Sequence, residues 1–141
     1  MYNTKELNTM LLEAFPELKE RFEDETSWDD GIETGSYVVY EDIFMPYVVQ
    51  AFVDNDQESI NRVMQFVEKL ASSDDVDVKN LIGISIIDNV RMYDIEERFA
   101  SIMGPNSRIL YNAWENDYNY SMIGNNARGT GVLDQFLFFP L

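Results

Sequence analysis

Between Glu58 and Ala71, apolar side chains fall at Ile60, Val63, Met64, Val67, Leu70 and Ala71, with Phe66 flanking them. Arg62, Gln65, Glu68 and Lys69 lie mostly opposite, so the stretch reads as an amphipathic helix over 58–71. The same spacing recurs along most of the chain, and it limits the fold to helices packed on helices. Leu7, Met10, Leu11, Ala14, Leu18 and Phe22 form one such stripe in the first 25 residues, interrupted by Pro16. Proline disfavours the α region for Phe15 and suits the first turn of a new helix. The expectation is helix 4–14, a break, then helix 16–25, with Glu17 and Glu20 near its favourable positive end.

Turn residues punctuate the rest. Ser27–Ser36 carries Gly31, Gly35 and tandem acids and reads as a loop. Tyr37–Tyr40 is either a short extended piece or the start of the next helix. Apolar positions 43, 44, 47, 48, 51 and 52 are helical, and Pro46 either opens that helix or kinks it. Asp54-Asn55-Asp56 ends it. Ser72-Ser73-Asp74-Asp75 makes a break and supplies an N-cap. Val76–Val90 is apolar nearly all round. Ile84–Ile87 alone resembles a buried strand, but the capped start and the length favour a central buried helix, with Gly83 permitting a close helix contact. Asp94 with Glu97 resembles a capping box opening helix 95–103. Gly104-Pro105 then leads into helix 105–117, with Ile109, Leu110, Ala113 and Trp114 inward. Residues 118–131, rich in Asn, Gly and Tyr, read as a loop. Residues 132–141 are apolar enough to dock on the core or on a second subunit.

The expected fold is therefore all-α, a compact bundle of short antiparallel helical hairpins forming one domain over 1–141. Hairpins 43–53 with 58–71 and 76–90 with 95–103 have the dimensions of HEAT-like α-solenoid units.

Composition narrows function. The net charge is −16, from 26 acids and 10 bases. That argues against binding nucleic acid or an anionic membrane through a basic patch and points to basic partners. The chain has no Cys and no His, which removes thiolate nucleophiles, imidazole bases and most zinc and non-haem iron ligand sets. What remains is carboxylate chemistry with or without Mg²⁺ or Ca²⁺. No cationic n-region or long apolar run opens the chain, so the expectation is a cytoplasmic protein, a monomer or weak homodimer without a cofactor.

The charge is concentrated. Glu17–Asp42 holds ten Asp/Glu against two Lys/Arg, threaded with aromatic and aliphatic residues. The candidate partner-binding set is Glu23, Asp24, Glu25, Trp28, Asp29, Asp30, Glu33, Tyr37, Glu41 and Asp42, with Trp28 and Tyr37 as anchors inside a charged rim. Other acid clusters read as structure. Asp54–Glu58 begins like a calcium loop but places Ser59 and Gln65 where an EF-hand needs Gly and Glu, so it reads as a turn. Asp74, Asp75 and Asp77 read as a cap and first-turn charges. Residues 124–131 lack the lysine and following helix of a phosphate loop. No catalytic or metal-binding residues are assigned.

Several local patterns occur together: Phe15-Pro16-Glu17-Leu18, Tyr40–Tyr47 (YEDIFMPY), and Phe66–Ala71 followed by Asp74-Asp75 and Val78. Ile86-Ile87-Asp88-Asn89 and Met103-Gly104-Pro105 ahead of Trp114 complete the set. Over roughly residues 7–117 the chain resembles small acidic all-helical bacterial proteins encoded beside secreted polymorphic or contact-dependent toxins and taken to be their immunity proteins. Ile87-Asp88 stands where that group has Leu-Glu, and the Phe-rich tail has no counterpart. The resemblance implies a non-enzymatic role: binding and neutralising a cognate toxin domain, expected here to be a basic nuclease. Two other functions fit the composition. One is a carboxylate–metal enzyme on a small substrate. The other is an acidic scaffold or DNA mimic that occupies a host nucleic-acid-binding protein.

Overall fold

A computed structural model describes residues 2–27 and 30–124, with side chains as far as Asn116. The described residues are helical throughout apart from turns and contain no strand, so the fold is all-α. None of the described helices is long and apolar enough to cross a membrane.

The first helix, α1, spans Thr4–Ala14, opened by a reciprocal capping box between Asn3 and Glu6. Phe15 leaves helical geometry before Pro16, as the proline requires. A 3₁₀ turn at Pro16–Leu18 then runs into α2, Lys19–Thr26. After a second 3₁₀ turn at Gly31–Glu33 the chain enters α3, Ser36–Val39. Tyr37–Tyr40 is thus helical rather than extended. A π-helical turn at Tyr40–Phe44 joins α3 to α4, Met45–Val53, so residues 36–53 form one continuous rod. Pro46 neither starts nor ends it. Lacking an N–H, Pro46 cannot bond the carbonyl of Asp42 four residues back, and Arg21 Nη2 donates to that oxygen at 2.9 Å instead. The wider π turn lies immediately ahead of the proline, where the regular ladder is already broken.

Asn55, in the left-handed region at φ 54°, and Asp56, which caps the next helix by accepting from Ser59 N, turn the chain into α5, Gln57–Ala71. The turn reading of Asp54–Glu58 holds. Asp75 caps α6, Val76–Leu81, which continues through a π turn at Ile82–Ile87 into α7, Asp88–Met92. This second rod, residues 76–92, is the centre of the molecule. It touches α5, α9 and the first rod, and Val78, Leu81, Ile82, Ile86, Ile87 and Val90 are all buried. Each π turn strands carbonyls that need outside donors. Asn89 Nδ2 supplies Ser85 O at 3.0 Å.

The next helix, α8, spans Glu96–Ser101, and the expected Asp94–Glu97 capping box is absent. Asp94 instead occupies the left-handed position of the turn, at φ 61°, a conformation Asp tolerates better than most residues, and Ile95 precedes the helix without a side-chain cap. The last helix, α9, spans Pro105–Gly124. Its cap comes from a distant residue: Glu68 of α5 accepts from Asn106 N and Ser107 N, both at 2.9 Å, and from both side chains. Burial works against the Glu68 carboxylate, but the bonds from Ser107 and Asn106 outweigh it and hold its pKa below the ordinary value.

Two expectations for α9 need correction. Leu110, Ala113 and Trp114 are buried, but Ile109 is 47% exposed. Residues 118–124 continue the helix instead of forming a loop, because an apolar stripe marks which face of a helix is buried and its absence says nothing about the backbone. Residues 125–131 of the expected loop and the apolar segment 132–141 lie outside the described residues. The first expected hairpin, α4 with α5, is present; the second pairs the central rod with only the six residues of α8, so the two units are unequal.

Candidate functional site

The acid-rich segment is held in place by buried polar contacts and one surface clamp. Asn8 of α1 is fully buried and donates from Nδ2 to Ile32 O at 3.0 Å and Thr34 O at 2.7 Å, while its Oδ1 accepts from Ser36 Oγ at 3.1 Å. One asparagine therefore ties the 31–36 turn to the first helix. The sequence signal was present but unused: a lone amide beside Leu7 on an apolar stripe. At the other end of α1, Glu17 joins Arg62 of α5 through two bonds of 2.8 and 3.1 Å and accepts from Tyr47 Oη at 2.5 Å. Arg62 also donates to Ala14 O and lies 5.1 Å above the Phe15 ring. This clamp sets where α2 begins.

Arg62 holds the Glu17 carboxyl at about 2 against an ordinary 4.5, with desolvation opposing and Tyr47 adding to the effect. A carboxyl with a depressed folded-state pKa contributes stability in full above its unfolded value and loses it as pH falls toward the folded value. Glu17→Gln should therefore flatten the acid limb of a thermal-stability profile between about pH 4.5 and 2, leaving the neutral region less affected by titration. A wild-type limb no steeper than that of Glu17→Gln would show the clamp to be inert.

On this scaffold α2 presents Glu20, Glu23, Asp24 and Glu25 to solvent, and the adjoining turn presents Asp30 and Glu33. Glu25 pairs with Arg21 on its own helix. Arg21 also reaches the carbonyl of Asp42, which brings the exposed Asp42 beside α2. Glu20, Glu23, Asp24, Asp30 and Glu33 form no ion pair or side-chain hydrogen bond with any described residue. Among them, Phe22, Thr26, Gly31 and Ile32 with Leu12 of α1 line a largely apolar cleft of about 420 Å³ that Lys19 and Glu23 border. Leu12 lies off the apolar stripe of α1 because it faces this cleft.

Two of the expected residues belong elsewhere. Ser85 Oγ, in the central rod, donates to Tyr37 O at 3.2 Å and lies 3.4 Å from Glu41 Oε2, so the Glu41 side chain faces that rod, while the Tyr37 side chain lines a groove with Tyr2 and Asp77; neither is brought onto the α2 face. The rod that carries 37–42 has Asp42 beside Arg21 and Glu41 beside Ser85, a division that sequence adjacency conceals. Trp28 and Asp29 lie outside the described residues.

Elsewhere three arginines, Arg62, Arg91 and Arg98, are engaged internally. Arg91, with a side chain only 14% exposed, meets Asp88, Glu96 and Glu115, while Tyr111 Oη donates to Glu96 at 2.6 Å and Trp114 Nε1 to Asp88 at 2.8 Å. Burial pushes the Asp88 carboxyl upward in spite of Trp114 and Arg91. Arg98 caps the end of α4 through Phe52 O and Asn55 Oδ1. Among the described residues, no group of three or more acidic side chains converges closely enough to hold a metal ion.

No curated protein and no solved structure matches this chain. A family model does: residues 8–119, from the turn-holding Asn8 in α1 into the second half of α9, match it, and the chain belongs to the family described as a domain of unknown function, DUF7674.

Proposed function

We propose that the protein is a binding module that docks a cationic protein surface through the face built by α2 and the 30–33 turn, the role of an immunity protein neutralising a basic toxin domain. One observation carries this reading. The carboxylates of Glu20, Glu23, Asp24, Asp30 and Glu33 have no partner among the described residues, whereas Arg62 and Arg91 are bound to acids elsewhere and Arg98 to backbone and amide oxygens. These five unpartnered carboxylates lie together on α2 and the adjoining turn and are left available. Such a field accelerates encounter with a cationic partner and discriminates against anionic ones. The cleft between α1 and α2 offers room for one apolar side chain, and a desolvated anchor within a charged rim is how tight interfaces divide affinity from selectivity. If the partner is a nuclease, these carboxylates stand where substrate phosphates would lie.

A basic toxin domain is expected to be encoded beside the protein, and that domain is the ligand for the test. Glu23→Lys with Asp24→Lys should lower its affinity about tenfold or more at low salt and flatten the salt dependence. Thermal stability should stay near wild type, since both side chains are exposed. Titration calorimetry at low and high ionic strength reads both effects, and an unchanged affinity would move the docking surface off α2.

A further inference from the structure

A second concavity lies apart from the α2 face. The starts of α1, α3 and α6 meet around a groove of about 590 Å³, within the size range of small-ligand sites. Leu7 and Leu81, both buried, line it together with Tyr2, Tyr37 and Asp77. Tyr37 is 41% exposed, so its ring is available to an incoming group. The neighbouring Asp75 is fully used: it accepts from Asp77 N at 2.9 Å and from Tyr2 N at 2.7 Å, and the latter bond fixes the chain start against the groove. Asp77, by contrast, has a carboxylate with no ion pair or hydrogen bond among the described residues. Burial of Tyr37 and the Asp77 charge both raise the tyrosine pKa, which places the two groups within electrostatic reach. The N-terminus of α1 does not make this an anion site, because the capping box already takes the N–H groups of Asn3 and Glu6, and Glu6 adds a further negative charge.

We propose that this groove binds an organic cation of the lysine or arginine class, presented as a long side chain of the cationic partner. The apolar stem would lie over Leu7 and Leu81, and the charged head would meet Asp77 and the two tyrosine rings. An aromatic wall with one unpaired carboxylate is the chemistry that selects such a head over a neutral isostere. A neutral ligand would leave Asp77 uncompensated, and an anion would meet it directly. The proposal rests on the reading of the partner as cationic, and it assigns Tyr37 a role on a surface separate from α2.

The probe is N-acetyl-arginine amide, titrated into the full chain at low salt and followed by the shifts of backbone amides and tyrosine rings. The expected result is saturable shifts concentrated at Tyr2, Tyr37 and Asp77, with the citrulline analogue about fivefold weaker or more, as for loss of one charged contact. Asp77→Asn should weaken the arginine probe by a similar factor. Gly35→Leu should block it, since a Cβ at Gly35 meets nothing within 4 Å and the added side chain has open groove to fill. Saturable shifts confined to Glu23, Asp24 and Asp30 would overturn the groove and leave the α2 reading standing. Shifts at neither place would overturn the groove, the α2 reading being decided separately by toxin affinity, and equal binding of arginine and citrulline analogues would overturn the cation assignment.

Discussion

Gly83→Ala should destabilise the protein by about 2 kcal/mol, within the ~1–3 kcal/mol typical of overpacked sites. The sign is the informative part. In an exposed helix interior the same change is worth up to about 1 kcal/mol of added stability, because glycine loses the most backbone freedom on folding. At position 83 a Cβ would lie 2.5 Å from Cε3 and Cζ3 and 2.6 Å from Cδ2 of Trp114. The indole has little room to yield: Trp114 is buried, and its Nε1 is bonded to Asp88 at 2.8 Å. Gly83→Val should cost more still. Trp114→Phe in the Gly83→Ala background should recover part of the loss, giving a coupling of about 1–2 kcal/mol in a double-mutant cycle. Urea unfolding with an unchanged m-value checks each figure. A stabilising Gly83→Ala would mean that the central rod and α9 do not pack at this distance.

Phe15→Ala should cost about 3–5 kcal/mol, the usual range for removing a fully buried aromatic ring. Phe15 is the hinge residue between α1 and the Pro16 turn, and its ring lies 5.4 Å from those of Phe44, Tyr47 and Phe66. Tyr40 extends the cluster, at 5.8 Å from Phe44 and 6.3 Å from Phe66. One truncation would therefore loosen the α1–α2 junction, the first rod and α5 together. It would also remove the surface beneath the Arg62 guanidinium and so weaken the clamp on Glu17. Loss of the ring should show in function as well as in stability, because that clamp positions the acid-rich helix. Ile109→Ala is the control: on a half-exposed position it should change stability by no more than about 0.5 kcal/mol. Similar losses at the two sites would contradict the burial pattern.

The contrast between Phe15 and Ile109 shows where periodicity succeeds and where it stops. The stripes at 7–22, 43–52 and 60–71 identify buried faces because each follows helical backbone with a single apolar side, even where a 3₁₀ or π turn interrupts it. In α9 the scattered tyrosines and asparagines leave the direction of the buried face to its neighbours, and Trp114 rather than Ile109 fills the space against the central rod. The two π turns were not legible at all. A π turn adds one residue to a helical register, and no residue type demands it; Pro46 only reports that the ladder is already broken nearby. The capping box expected at Asp94 fails for a comparable reason, since a residue that caps well also tolerates the left-handed turn, and the turn prevailed.

By itself the sequence determined the helical class, the breaks at Pro16, Asp54–Asp56, Ser72–Asp75 and Gly104-Pro105, and a largely buried helix over 76–90 in which Gly83 permits a close contact, although Val76, expected among its buried residues, is 44% exposed. These follow from local spacing and from turn chemistry, which are properties of neighbouring residues. It also showed where the negative charge accumulates. Only the tertiary structure decided which of those charges act together. Glu17 is bound to Arg62, forty-five residues away, and leaves the free set, while Arg21 brings Asp42 beside α2 through a backbone oxygen. Glu41 is turned toward Ser85 of the central rod, and the Tyr37 side chain instead lines, with Tyr2 and Asp77, a groove that joins residues from 2 to 81. Whether a carboxylate is free to bind a partner depends on which donors the fold brings within about 3 Å, and that distance is set by packing between helices distant in the chain.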